Sequence, residues 1–211
     1  MSFLKPRSTE TNRDKLLTIA ELALLDKGYA ATSIEELIAE VGITKSGFFY
    51  HFRDKGELVK AILRRHIETE ERWFDDLFAR AEDLNEDPLH GFLVFLRLLR
   101  EQMEQLPDLH PGCLISVCCV QERLFDREVQ ELSKSNLLRW RERFKERLDR
   151  IAKVYPPKID IDLEALADMA PALTDGAIIF SKTVREKHAL PRQIDLYREF
   201  VRAVFLGTDK A

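Results

Sequence analysis

Thr44, Lys45, Ser46, Tyr50 and His51 crowd into the stretch "VGITKSGFFYHF" (Val41 to Phe52), among Phe48, Phe49 and Phe52. Hydroxyl, ammonium, phenol and imidazole groups all donate hydrogen bonds to anionic oxygens, and the rings supply apolar contact. Three readings fit so short an amphipathic segment: a packed core turn, a catalytic loop, or a helix that enters a groove of DNA. The choice depends on the elements that position these side chains.

Most of the chain has a helical period. "RDKLLTIAELALLDKG" sets Leu17, Ala20 and Leu24 on one stripe, and Gly28 ends the helix, expected over about Thr11 to Lys27. "TSIEELIAEVG" begins a second helix with Thr32 as N-cap and Glu35 three residues on, and Gly42 stops it. Thr44 caps a third, in which Phe48 and Phe52 at i, i+4 face the core while Lys45, Ser46 and Phe49 face outward. A long fourth helix follows, from about Asp54 to Leu84. The remaining segments also read as helices, with no internal repeat, about nine in all. The expected fold is all-α: an N-terminal helix-turn-helix domain over residues 1–54 and a helical domain over 55–211.

Composition bounds the function. The 211-residue chain is 45% hydrophobic and 33% charged with a net charge of −4, and its first 60 residues hold nine basic and nine acidic groups. A bulk basic surface is absent, so any DNA binding must rest on the placement of particular groups. No apolar run is long enough to span a membrane, and three clustered cysteines suit a reducing cytoplasm. Cytoplasmic localisation is expected, without export.

From Lys15 to Val59, "LLTIAELALLDKGYAATS" followed by "IEELIAEVGITKSGFFYHFRDKGELV" resembles the DNA-binding domain of the tetracycline-repressor (TetR) family. Matching positions include Ala20, Leu24, Gly28, Tyr29, Thr32, Gly42, Thr44, Lys45, Phe52, Lys55 and Leu58. The chain departs from the family pattern at Ile38, at Gly47 and at Phe49, which replaces a phosphate-binding tyrosine. Tyr50 offers a hydroxyl instead, about 100° around the helix, or Phe49 presses on a thymine methyl.

The resemblance implies a ligand-responsive transcriptional regulator, expected to be a repressor, that binds a palindromic double-stranded DNA operator as a homodimer and leaves it when a small molecule binds. Carried over by position, it implies phosphate contacts from Thr32, Thr44, His51 and Lys55, and a groove-facing set of Lys45, Ser46, Gly47, Phe49 and Tyr50. Arg7, Arg13 and Lys15 are candidates for an additional arm on the DNA or for a solvated tail. A rival reading is a helical interaction or scaffold protein that does not use its helix-turn-helix for DNA.

Elsewhere the signals are weaker. Phe95, Met103, Val117, Cys118, Trp140, Phe144 and Met169 fall on inward stripes and are the expected lining of an apolar cavity for an apolar or aromatic effector. Leu173, Gly176, Ala177, Phe180 and Val184, with Tyr197, Val201, Val204 and Phe205, form seams on the last two helices and are the expected dimer interface. His110, Cys113, Cys118 and Cys119 do not converge on one helix face. The basic stretch 139–150 has acids interleaved at helical spacing and reads as a salt-bridged solvent face. No phosphate-binding loop, nucleophile elbow or dinucleotide motif occurs, so neither an enzyme, a cofactor nor a metal is expected.

Overall fold

The computed structural model describes residues 11–207. Nine α-helices make up the described chain: α1 (Asn12–Ala31), α2 (Ile34–Val41), α3 (Lys45–His51), α4 (Lys55–Leu84), α5 (Pro88–Glu104), α6 (Leu114–Val120), α7 (Arg127–Val154), α8 (Leu163–Val184) and α9 (Ala189–Leu206), with a 3-10 turn at Glu122–Leu124. No strand occurs among the described residues, as the periodicity predicts. Helical geometry breaks within α1 at Gly28, whose φ of 81° favours glycine. The break falls where Gly28 was expected to end the helix.

Local chemistry sets the other boundaries. Thr44 Oγ1 accepts from Gly47 N at 3.2 Å and caps α3, and Gly42 closes α2 in the left-handed region at φ 76°. The cap of α2 differs from expectation. Ser33, not Thr32, accepts from Glu36 N, at 3.1 Å, because Thr32 ends the preceding element: its backbone N–H donates to Tyr29 O and its hydroxyl to Gly28 O.

The helices form two compact units. One takes the chain through Glu71 together with Pro111–Asn136, and so includes α1 to α3, the first part of α4, all of α6 and the start of α7. Its core joins Leu16, Leu24, Leu37, Phe48 and Ile62 to Leu114, Ile115, Phe125 and Val129. Lys60 is buried here among Glu57, Asp126 and Glu128.

The second unit comprises Arg72–His110 and the chain from Leu137 onward. Its centre is a cluster of aromatic rings. Phe78 stacks on Phe95 with centroids 3.7 Å apart, Trp140 meets Phe74 edge-on at 4.6 Å, and Phe144 is fully buried among them. The apolar stripe of α9 packs against α5 and α8. Tyr197 Oη donates to Leu166 O at 2.9 Å, which satisfies its polar end inside the core.

Candidate functional site

The seven residues of α3 divide cleanly by burial. Phe48 is fully buried and Phe52, directly after the helix, is 5% exposed, so both rings anchor the helix in the core of the first unit. Lys45, Ser46, Phe49 and Tyr50 are exposed, Tyr50 by 85% and Phe49 by 46%. Phe49 sits edge-on to Phe48 at 5.4 Å, and Tyr50 edge-on to His51 at 5.0 Å, so each displayed ring leans on a neighbour. Gly47 is half-buried, and a Cβ there would come within 3.5 Å of Ile43 and Thr44. Both are ordinary contact distances, so a side chain would fit at this position.

The charges around α3 are balanced locally. Lys45 Nζ lies 3.2 Å from Glu35 Oε1. The backbone N–H at the start of α2 and the Lys45 ammonium together hold Glu35 below the usual glutamate range. Both side chains are largely exposed, so solvent screens the pair and Lys45 can exchange a carboxylate for a phosphate. His51 stands half-buried at the last residue of α3.

Two of the expected phosphate contacts require correction. Thr32 is 2% exposed and its hydroxyl is committed to Gly28 O at 2.8 Å, so its side chain closes α1 and does not face solvent. Lys55 Nζ donates to Tyr29 O and Thr32 O, both at 2.8 Å, and lies 3.9 Å above the Tyr29 ring. Burial holds its ammonium below the usual lysine range. It ties the α1–α2 turn to the start of α4, leaving one hydrogen for anything else. The exposed hydroxyl at the N-terminus of α2 is that of Ser33, a residue not among the expected contacts. Arg13 lies over the Phe52 ring at 5.4 Å, and Arg7 falls outside the described residues.

The expected cavity lining is divided between the two units. Val117 and Cys118 belong to α6 in the first unit, where Cys118 is part of the core. Phe95, Trp140 and Phe144 pack on one another in the second, with Met103 buried and Met169 half-buried. A cavity of about 270 Å3 does occur in the second unit, lined by residues of α4, α5 and α7 that include none of the seven. Burial pushes the Cys118 thiol up to about 12, which keeps it from acting as a thiolate near neutral pH.

The expected dimer seam also divides. Ala177, Tyr197, Val201, Val204 and Phe205 are at most 4% exposed within the chain itself, so they are core and not interface. Gly176, Phe180 and Val184 are exposed, and Leu173 is half-buried. Ile179 on α8 and Leu196 on α9, which the sequence reading omitted, are also exposed.

Comparison with known proteins agrees with this geometry. Residues 16–62 match the family described as bacterial regulatory proteins, tetR family. The chain is 22% identical over 197 residues to an uncharacterized HTH-type transcriptional regulator in the lacX 3' region of Lactococcus lactis, covering 88% of this chain and 91% of that one. It is 33% identical over 102 residues to the HTH-type transcriptional regulator TtgR of Pseudomonas putida, covering 48% of this chain and 45% of that protein. A TetR-family transcriptional regulator from Agrobacterium tumefaciens shares the fold with a TM-score of 0.75 at 17% identity, over 92% of this chain and 97% of that one.

Proposed function

The chain belongs to the tetR family of bacterial regulatory proteins, and on that premise we propose a homodimeric repressor that binds a palindromic operator and releases it when a small molecule occupies the helical domain. The division of α3 carries this reading: Phe48 and Phe52 are locked into the core while Lys45, Ser46, Phe49 and Tyr50 are displayed around a Thr44-capped N-terminus. That is what a recognition helix needs, since its register is fixed from behind and its polar side chains reach base edges and phosphates. In this reading residues 1–54 bind DNA and residues 55–211 bind the effector and form the dimer. Thr44, Ser33 and His51 contact phosphates, and Lys45, Ser46, Phe49 and Tyr50 enter the groove.

Two recognition helices placed on successive major grooves need a spacing of roughly 34 to 36 Å, hence two copies. The exposed apolar face of α8, from Gly176 through Ile179 and Phe180 to Val184, with Leu196 on α9, is the surface proposed to pair. An effector releases DNA only through different affinities for the bound and free conformations. The test is fluorescence anisotropy with DNA from the upstream region of the protein's own gene, over a salt series. Saturable, salt-dependent binding with a sequence preference is expected. Binding that ignores sequence, or none, would reject the regulator reading in favour of a scaffold role.

A further inference from the structure

The cavity in the second unit brings together Phe78, Ala81 and Glu82 of α4, Phe92 of α5, and Arg147 and Arg150 of α7. Its size, about 270 Å3, is close to the lower end of small-molecule sites, about 300 Å3. Phe78, Ala81 and Phe92 are buried hydrophobic side chains, and they make one wall apolar.

Hydrogen-bond donors stand in excess beside this apolar lining. The Arg147 side chain is 18% exposed, and its guanidinium carbon lies 3.4 Å from the Phe78 ring centroid. Nη1 donates to Arg143 O at 3.1 Å. Nε is buried without a hydrogen-bond partner. The Glu82 Oε1 atom faces both arginines but stands 3.9 Å from Arg147 Nη2 and 3.7 Å from Arg150 Nη2, too far for a hydrogen bond to either. Two guanidiniums therefore share one distant carboxylate oxygen. Buried donors that lack an acceptor favour any ligand that supplies one.

The remaining acids around the cavity do not oppose an anion strongly. Asp87 is already engaged, accepting from Leu89 N, His90 N and Tyr155 Oη. Glu86 and Glu82 are exposed, so water screens the first and the second is free to turn outward.

We propose that this cavity binds a small aromatic monocarboxylate, with the carboxylate held between Arg147 and Arg150 in place of Glu82 and the ring beside Ala81 and Phe92. Planar guanidinium forks match carboxylates bidentately, and the apolar wall takes a ring without leaving a polar group unpaired. The site binds such an acid whether or not the acid acts as the effector.

The test is titration calorimetry on the full chain with benzoate and phenylacetate, and with benzamide and phenylacetamide as neutral counterparts. At least one acid is expected to bind tighter than about 1 mM, with its amide weaker by at least about tenfold, a factor that corresponds to 1.4 kcal/mol. Arg147→Met should abolish binding and Arg150→Gln should weaken it. The Arg150 variant alters a half-exposed side chain, so it tests the site even if Arg147→Met fails to fold. Glu82→Gln should tighten binding, because it removes the carboxylate that the ligand must displace. Equal affinity for acid and amide, no saturable binding of either acid, unchanged binding in folded Arg147→Met or in Arg150→Gln, or weaker binding in Glu82→Gln would each overturn the proposal. No DNA is needed, so failure here and failure of operator binding are separate results.

Discussion

The side-chain amide of Gln121 accepts a hydrogen bond from the backbone N–H of Tyr29 at 2.8 Å, across 92 residues of sequence. It joins the end of α6 to the turn that precedes α2. The Phe125 ring lies 4.6 Å from the Tyr29 ring on the same turn, and Lys55 donates to the turn's carbonyls. The helix-turn-helix is thus held by parts of the chain far outside it.

Gly28→Ala should disturb this junction in two ways. A methyl group there would lie 2.8 Å from Gln121 Nε2, and φ of 81° is costly for any residue with a Cβ. A loss of about 1 to 3 kcal/mol is expected from the backbone alone, measured by urea denaturation. Gln121→Ala should cost about 1 kcal/mol through the lost hydrogen bond and should relieve the steric part of the Gly28→Ala defect in the double variant.

Within α3, anchor and display should separate experimentally. Phe48→Ala is expected to cost about 3 to 5 kcal/mol, because the ring is fully buried. Lys45→Ala with Tyr50→Ala should leave the melting temperature nearly unchanged while operator affinity collapses. If Lys45 meets a phosphate, its loss alone should lower the slope of log affinity against log salt by about 1. A folded double variant with intact operator binding removes α3 from the groove.

The buried polar cluster of the first unit makes stability depend on pH. His66 Nδ1 is 3.4 Å from Glu21 Oε1, Arg65 bonds Glu21 at 2.7 Å, and Glu70, paired to Asn136, is 4.0 Å from His66 Nε2. Burial alone would lower the His66 pKa, but hydrogen bonding to Glu21 and the charges of Glu70 and Glu21 raise it overall above 6.5. Protonated His66 therefore stabilises fully below 6.5, and that contribution is lost as pH rises through the raised folded value. Glu21 has the opposite sign. Burial raises its pKa, yet His66 and Arg65 lower it below 4.5, so its contribution is present above 4.5 and lost as pH falls through the depressed value. Unfolding free energy should peak between the two, and His66→Gln should flatten the alkaline limb. An unaltered alkaline limb in that variant, followed by denaturation across pH, would show that His66 does not drive it.

On α8 and α9, exposure decides the expected phenotype. Phe180→Asp and Gly176→Arg alter exposed positions, and a Cβ at Gly176 meets nothing within 4 Å, so each should give a folded monomer in sedimentation experiments that no longer binds the operator. Val201→Asp should instead unfold the second unit, costing more than about 3 kcal/mol for a buried unpaired charge, since Val201 is fully buried. A wild-type monomer that binds the operator tightly would sink the dimer assignment.

What was legible from sequence was local. Gly28, Gly42 and Thr44 end and begin helices where their types indicate, and the i, i+4 pair Phe48 and Phe52 is the anchor expected. "TSIEE" contains two overlapping capping patterns, Thr32 with Glu35 and Ser33 with Glu36, and only the need to close α1 with Thr32 selects the second. An apolar stripe states that a face is covered but not by what. Tyr197, Val201, Val204 and Phe205 are covered by α5 and α8 of their own chain. Likewise Val117 and Phe95 read alike as inward-facing, yet they lie in different units. The meeting of Glu82 with Arg147 and Arg150 depends on chain separations for which no local pattern exists.

The discontinuity of the first unit limits how its DNA-reading part can be transplanted. A chimera made by fusing the N-terminal residues through Glu71 to another protein would omit Leu114, Ile115, Phe125 and Val129, which complete the core around Phe48, and Gln121, which holds the Tyr29 turn. α4, roughly 45 Å long at 1.5 Å per residue, would also be severed midway, and Leu58, Ile62 and Leu63 would lose the α6 and α7 side chains that share their core. Specificity in this chain is therefore better redirected by exchanging side chains on α3 than by exchanging gene segments, because the scaffold beneath that helix is assembled from two distant stretches of the polypeptide.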